Sequence, residues 1–228
     1  MRMRRKKDET VGEPGMEAAD AAEAEKQKDP RAEGPWDVSE VQLDEDDATR
    51  VDLGALSVRG RPGVEVRLQA DEASGQVQAV MVVTEDGAME LRAFASPRNE
   101  SIWEDIRARL ASEATKRGGQ AGEVEGPYGT ALQMVLPATS PDGTQGTQTS
   151  TVLGITGPRW LLRVSTFGRP AVEYHSHGVL EQVLRDVVVN RGNQPMSPGD
   201  PLPLTMPPNA RRRIPVPGQQ KDAQTEDS

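Results

Sequence analysis

One switch of apolar period constrains this chain more than any other feature. Val64, Val66 and Leu68 alternate with polar residues, and a second strand-like run spans Ala88 to Ala95. After Ser96-Pro97-Arg98 the spacing changes, and Ile102, Trp103, Ile106, Leu110 and Ala114 fall on one stripe. Period two gives a strand one buried face, and period 3.6 gives a helix one buried stripe. Ser96 is placed to cap this helix, and Pro97 suits a first turn whose N–H groups have no partner. Lys116 and Arg117 suit the negative end of the helix dipole, and Gly118 stops the helix. A sheet built to receive the stripe is therefore expected around it.

The flanking sequence supplies that sheet. Strands are expected at 51–58, 64–70, 76–84 and 88–95, the third being the most apolar and so central. Asp86-Gly87 marks a hairpin between the last two. Beyond Gly118, strands are expected at 123–129, 130–136, 151–156 and 160–167, with Gly157-Pro158-Arg159 as a turn. Residues 137–150, rich in Gly, Thr, Gln, Ser and Pro, read as a mobile loop. A second helix is expected at 177–190, capped by Ser176, with Val179, Leu180, Val183, Leu184, Val187 and Val188 as its stripe. Strand runs joined by tight turns and covered by two amphipathic helices make an α+β fold: one antiparallel sheet of about seven or eight strands.

Composition divides the chain into three. Residues 1–50 hold nine Lys+Arg against fifteen Asp+Glu, and residues 51–192 hold fourteen against seventeen, within an overall net charge of −9. The first 50 residues read as a disordered acidic leader, in which Trp36, Val38, Val41 and Leu43 are the apolar anchors. Residues 51–192 read as the folded domain. Residues 193–228, with Pro195, Pro198, Pro201, Pro203, Pro207 and Pro208, read as an extended tail. Its Leu202-Pro203-Leu204 is suited to lie along a groove of this domain or of another protein. The basic start, Arg2 to Lys7, runs into Asp8-Glu9 without an apolar segment, so a secretory leader is not expected. No apolar run approaches the ~20 residues of a membrane helix. The expectation is a cytoplasmic protein.

The residues also limit the chemistry. The chain has no cysteine, which excludes disulfides, thiolate catalysis and cysteine-ligated metals. His175 and His177 are the only histidines, and no further ligand cluster accompanies them, so no metal or cofactor is expected. Glu104-Asp105, Asp71-Glu72 and Glu85-Asp86 fall in turns or on a polar helix face, where solvated carboxylates belong. No nucleophile elbow, phosphate loop or dinucleotide fingerprint is present. The candidate binding residues are Arg98, Tyr128, Arg159, Trp160 and Arg163. An exposed Arg159 beside Arg98 and Tyr128 would receive a carboxylate or phosphate. The plainer account puts Trp160 in the core and packs the stem of Arg163 along the sheet.

Ala95-Ser96-Pro97-Arg98 with Trp103, Gly118-Gly119, Gly126-Pro127-Tyr128-Gly129 and Gly157-Pro158-Arg159-Trp160-Leu161-Leu162-Arg163 resemble a family of uncharacterised, mainly actinobacterial proteins, a domain of unknown function. The resemblance covers about residues 35–215 and implies no reaction or ligand. The order of strands and helices is also similar to the PsbP/Mog1-type sandwich, a scaffold mostly used for protein binding. The leading expectation is a non-enzymatic protein-binding or adaptor module with a protein partner. The first rival is a small-molecule-binding protein or an unrecognised enzyme with a cleft between helix and sheet. The second is a nucleic-acid accessory protein acting through Arg2–Lys7 and Arg211–Arg213, disfavoured by the balanced charge of the domain.

Overall fold

The computed structural model describes residues 29–207 apart from 45, 72–73, 99, 141 and 174–177. The expected basic start, both histidines, the Ser176 cap and Arg211–Arg213 lie outside the described residues. Within them, seven strands form one antiparallel sheet: β4 (Glu65–Ala70), β5 (Val77–Val83), β6 (Gly87–Ala95), β7 (Gln120–Gly126), β8 (Gly129–Thr139), β9 (Gln145–Gly157) and β10 (Trp160–Gly168). Their spatial order is β4-β5-β6-β10-β9-β8-β7. A smaller sheet of four strands holds β1 (Trp36–Asp37), β2 (Arg50–Asp52), β3 (Leu56–Arg59) and β11 (Val188–Val189) in the order β1-β11-β3-β2. The helices are α1 (Trp103–Lys116), the short α2 (Arg169–Val172) and α3 (Gly178–Arg185).

The seven-stranded sheet separates two cores. On one side Trp160, Leu162 and Val164 of β10 pack with Met89 and Leu91 of β6, with Leu53, Leu56 and Val58 of the small sheet's side, and with Leu180, Val183 and Leu184 of α3. On the other side Leu161 and Val152 pack with Leu132, Met134 and Trp103, and the stripe Ile102, Ile106 and Leu110 of α1 closes over them. The alternation in β10 thus feeds both cores. Burying a Leu or Val side chain stabilises a fold by about 1.5–3 kcal/mol, so both layers contribute substantially.

The expected α+β architecture holds, and several local expectations give way. The central strand is β10; β5 lies second from the edge, because β4 is its outer neighbour. The single strand expected at 51–58 is two strands. Gly54 takes φ 79° and donates its N–H to Asp52 Oδ1 at 2.9 Å, which bends the chain between them. Helix α1 begins at Trp103 rather than after Ser96. The Ser96 hydroxyl donates to the Glu100 carbonyl at 3.3 Å, and Ser101 Oγ accepts the Trp103 N–H at 3.2 Å. Gly118, at φ 76°, ends it as expected.

Residues 137–150 are the far end of a hairpin. Leu136 pairs with Gln148, and Thr139 with Gln145. This arm buries almost nothing, so its sequence carries no apolar period, and the ladder alone shapes it. The valines at 188–189 leave the helix and become β11, pairing with Ser57 and Leu56 on one side and with Trp36 and Asp37 on the other. The pairing with β1 is parallel.

The packed structure also passes both edges expected at Val51 and Gly192. Strand β1 comes from the acidic leader. In the Pro-rich tail, the Leu202 N–H donates to the Ala93 carbonyl at 2.8 Å, and the Ala95 N–H to the Asp200 carbonyl at 2.8 Å. Strand β5 pairs with β6 only from Ala88 to Leu91. The tail takes up the part of that edge left free and sets Leu202 into the core, 4% exposed.

Candidate functional site

Strand β10 sends the expected binding residues to different faces. Trp160 is fully buried, and its indole N–H donates to Asp37 Oδ2 at 2.7 Å. The other oxygen of Asp37 accepts from the Ser39 N–H at 2.9 Å and the Ser39 hydroxyl at 2.6 Å. Arg31 lies 5.4 Å from the centre of the Trp160 ring and forms a two-pronged pair with Glu40, both contacts at 3.0 Å. That pairing holds the Glu40 carboxyl below its ordinary range against a smaller opposing effect of burial. Trp160 is therefore a structural post that anchors the leader.

Arg98 and Arg159 are both exposed. The Ser96 N–H donates to the Arg159 carbonyl at 2.9 Å, which brings the segment leading to Arg98 beside the β9–β10 turn. Arg159 holds φ 63°, alone among the described non-glycine residues in the left-handed region, as the turn between paired Gly157 and Trp160 demands. Tyr128 sits in the β7–β8 turn and packs against the core shared with α3. Burial pushes its phenol up to about 12, with Glu181 adding to the effect and Arg185 opposing it. Neither of the two hollows along α1 is lined by Arg98, Tyr128 or Arg159.

Arg163 points to the opposite side of the sheet from Trp160. Its Nη2 lies 3.6 Å from Glu90 Oε1, and its guanidinium lies 5.4 Å from the centre of the Phe94 ring. The same Glu90 oxygen accepts from Arg92 Nε at 2.9 Å. One carboxylate thus serves two arginines. Burial and the neighbouring Arg92 lower the Arg163 pKa from its ordinary value, Glu90 opposing. Arg163 Nε is buried and donates to nothing among the described residues.

Arg163 borders a groove of about 260 Å³ between the C-terminal half of α1 and the sheet. Leu110, Met134, Leu136, Val152 and Phe167 form its apolar walls. Its polar lining is Arg117, Gln148, Ser150, Ser165 and Arg163. Ser150 and Ser165 are only 6% and 7% exposed. Ser165 pairs with Val152, two residues from Ser150 on the same strand, so the hydroxyls are diagonal neighbours on one face. A second hollow, about 160 Å³, lies between α1 and β7 and is lined by Arg107, Glu104 and Glu123 among others.

Of the groove's lining, the sequence reading had named only Arg163 as a binding residue. Ser165 interrupts the apolar run of β10 in step with Arg163, and that was the available signal; Ser150 sits in a polar run, Gln145 to Thr151, and gave none. Arg117 looked like a helix terminus and nothing more. The lining contains arginine, serine and glutamine side chains that donate hydrogen bonds, and no histidine, lysine or carboxylate. Among the described residues no three His, Cys, Asp or Glu side chains gather to hold a metal.

The family model for DUF3710, described as a protein of unknown function, matches residues 34–213. This chain belongs to the DUF3710 family. The match begins two residues before β1 and runs past Leu204, so the family's span includes both ends that pack on the core. No curated protein matches the sequence. Among solved structures, the chain is similar to the cyanobacterial PsbP (CyanoP) of Synechocystis sp. PCC 6803, seen in solution, at 9% identity and a TM-score of 0.35, covering 65% of this chain and 98% of that one. Among the described residues no helix is long and apolar enough to cross a membrane.

Proposed function

We propose that this DUF3710 protein is a non-enzymatic, cytoplasmic binding module that holds a partner protein against one half of its seven-stranded sheet. One observation carries the reading. Helix α1 packs over β7, β8 and β9, while α3 packs on the other side of the sheet. No helix among the described residues covers β4, β5 and β6 on the α1 side. That face presents half-exposed Met81, Val83 and Phe94, with Phe167 beside them. Arg67 pairs with Glu65 there at 2.6 Å, and Arg92 and Arg163 share Glu90. Mixed arginine, aromatic and methionine side chains are the groups enriched where proteins meet. The arginines favour an acidic partner surface.

The test is photo-crosslinking with the full chain. A crosslinker at Met81 should capture one discrete protein from the native cell extract, and excess unlabelled protein should compete it away. The same crosslinker at Val172, 65% exposed on the opposite side, should not capture it. Equal capture from both positions would overturn the assignment of the face.

A further inference from the structure

We infer that the groove beside α1 is a binding site for a carboxylate carried on an aliphatic stem. The inference rests on the proposed face and extends it: the groove adjoins that face at Arg163 and Phe167 and continues under α1. Its basis is the polarity of the groove. The charged side chains that line it, Arg117 and Arg163, are both cationic. Ser150 and Ser165 are more than nine-tenths buried, and neither hydroxyl makes a side-chain hydrogen bond among the described residues. The two hydroxyls open onto the groove, and the buried donor without a partner beside them is Arg163 Nε. An acceptor placed among these side chains meets hydroxyl and guanidinium donors together.

The charge around Arg163 points the same way. Glu90 already accepts from Arg92 at 2.9 Å and reaches Arg163 only at 3.6 Å. Two guanidiniums therefore share one carboxylate, and a buried cation is best held with full compensation. A second carboxylate, arriving through the groove, supplies it. Arginine and hydroxyl donors together suit a planar carboxylate. The remaining wall, Leu110, Met134, Leu136, Val152 and Phe167, is apolar and receives the stem. The volume of about 260 Å³ equals roughly eight or nine waters at ~30 Å³ each. That is the scale of one short branched acid or of one C-terminal leucine.

The experiment uses the full chain labelled with ¹⁵N and three probes: acetyl-Ala-Ala-Leu with a free carboxylate, the same peptide as its C-terminal amide, and 4-methylpentanoate. The free-carboxylate probes should shift the amides of Ser150 and Ser165 saturably. The amide should bind at least tenfold more weakly, since it lacks the charge. Arg117→Gln should weaken the acids severalfold without moving the thermal midpoint, because Arg117 is exposed. Tighter binding of the peptide assigns the site to protein C-termini. Equal or tighter binding of the free acid assigns it to a small acid. Both support the carboxylate chemistry. No saturable shift with either acid, or equal binding of the amide, overturns it. Such a failure would leave crosslinking at Met81 untouched, so the two proposals fail separately.

Discussion

Replacing Leu202 with alanine tests whether the Pro-rich segment belongs to the folded unit. Leu202 is 4% exposed and lies in the core that contains Leu53, Leu91 and Trp160. Removing a buried leucine side chain loses its transfer free energy and leaves a cavity, together about 2–5 kcal/mol. The segment sits at the sheet margin, where neighbours can partly close the gap, so about 3 kcal/mol is the expected loss. Leu204 is half-buried, and Leu204→Ala should cost about half as much. A domain of this size shifts its melting midpoint by ~2–4 °C per kcal/mol. Leu202→Ala should therefore melt about 6–12 °C lower, and urea unfolding should show a lower midpoint at unchanged slope. A solvated tail would give a change within ~0.5 kcal/mol. A loss that small would refute the packing of residues 199–205 and restore the domain edge near Gly192.

Further outcomes follow from single contacts. A Cβ at Gly154 would lie 2.4 Å from the Trp103 ring, whereas one at Gly122 would meet nothing within 4 Å. Gly154→Ala should therefore destabilise the protein by about 1–3 kcal/mol and shift tryptophan fluorescence, and Gly122→Ala should leave both near the wild-type value. Trp160→Phe removes the donor to buried Asp37 and should cost at least about 2 kcal/mol; adding Asp37→Asn should cost less than the sum of the two changes, measured by urea unfolding. The Tyr128 phenol is raised to about 12 in the fold, above its ordinary value of about 10. Its contribution to stability is thus complete below pH 10 and declines as pH rises from about 10 to 12. In a Tyr174→Phe background, phenolate absorbance should titrate in the upper part of that range, and a midpoint near 10 would contradict the burial. Glu40 is lowered by Arg31, so its contribution is present above the ordinary glutamate range and is lost as pH falls through its depressed value. Glu40→Gln should flatten that acid limb of the stability curve.

The elements that bury one face were legible in the sequence, and those shaped by distant partners were not. The strand expected at 160–167, with Trp160 in the core and Arg163 along the sheet, matches β10, whose Trp160, Leu162 and Val164 face one core and Leu161 the other. The stripe of α1 was equally plain, since Trp103, Ile106 and Leu110 have only one wall to meet. Its start was misplaced because Ser96-Pro97 satisfies the local rules for a cap, yet Ser96 turns its hydroxyl to Glu100. Val187 and Val188 continue a helical stripe in sequence, but the helix stops before them, and β3 and β1 offer Val188 and Val189 a ladder, where valine is at ease. Leu202 could not be placed from its own neighbours, because the edge it occupies exists only where β5 stops short of β6. The candidate site was half legible for the same reason. Parity showed that Arg163 leaves the Trp160 face, but the groove needs β9, β10 and α1 together.

The small sheet also sets a timetable for the newborn chain. Trp36 of β1 waits for Val188 of β11, its partner 152 residues later. At synthesis rates of about 5–20 residues per second, that wait lasts roughly 8–30 s. Throughout it, β3 has β2 beside it and an open edge where β11 will insert. Helix α1 and the hairpins of the large sheet pair with near neighbours and can organise as they emerge. The oily underside of that sheet is sealed only when α3, β11 and the segment around Leu202 have left the ribosome. Holding chaperones would therefore be needed until then, and a messenger cut short of β11 would yield a sticky half-product rather than a smaller working protein.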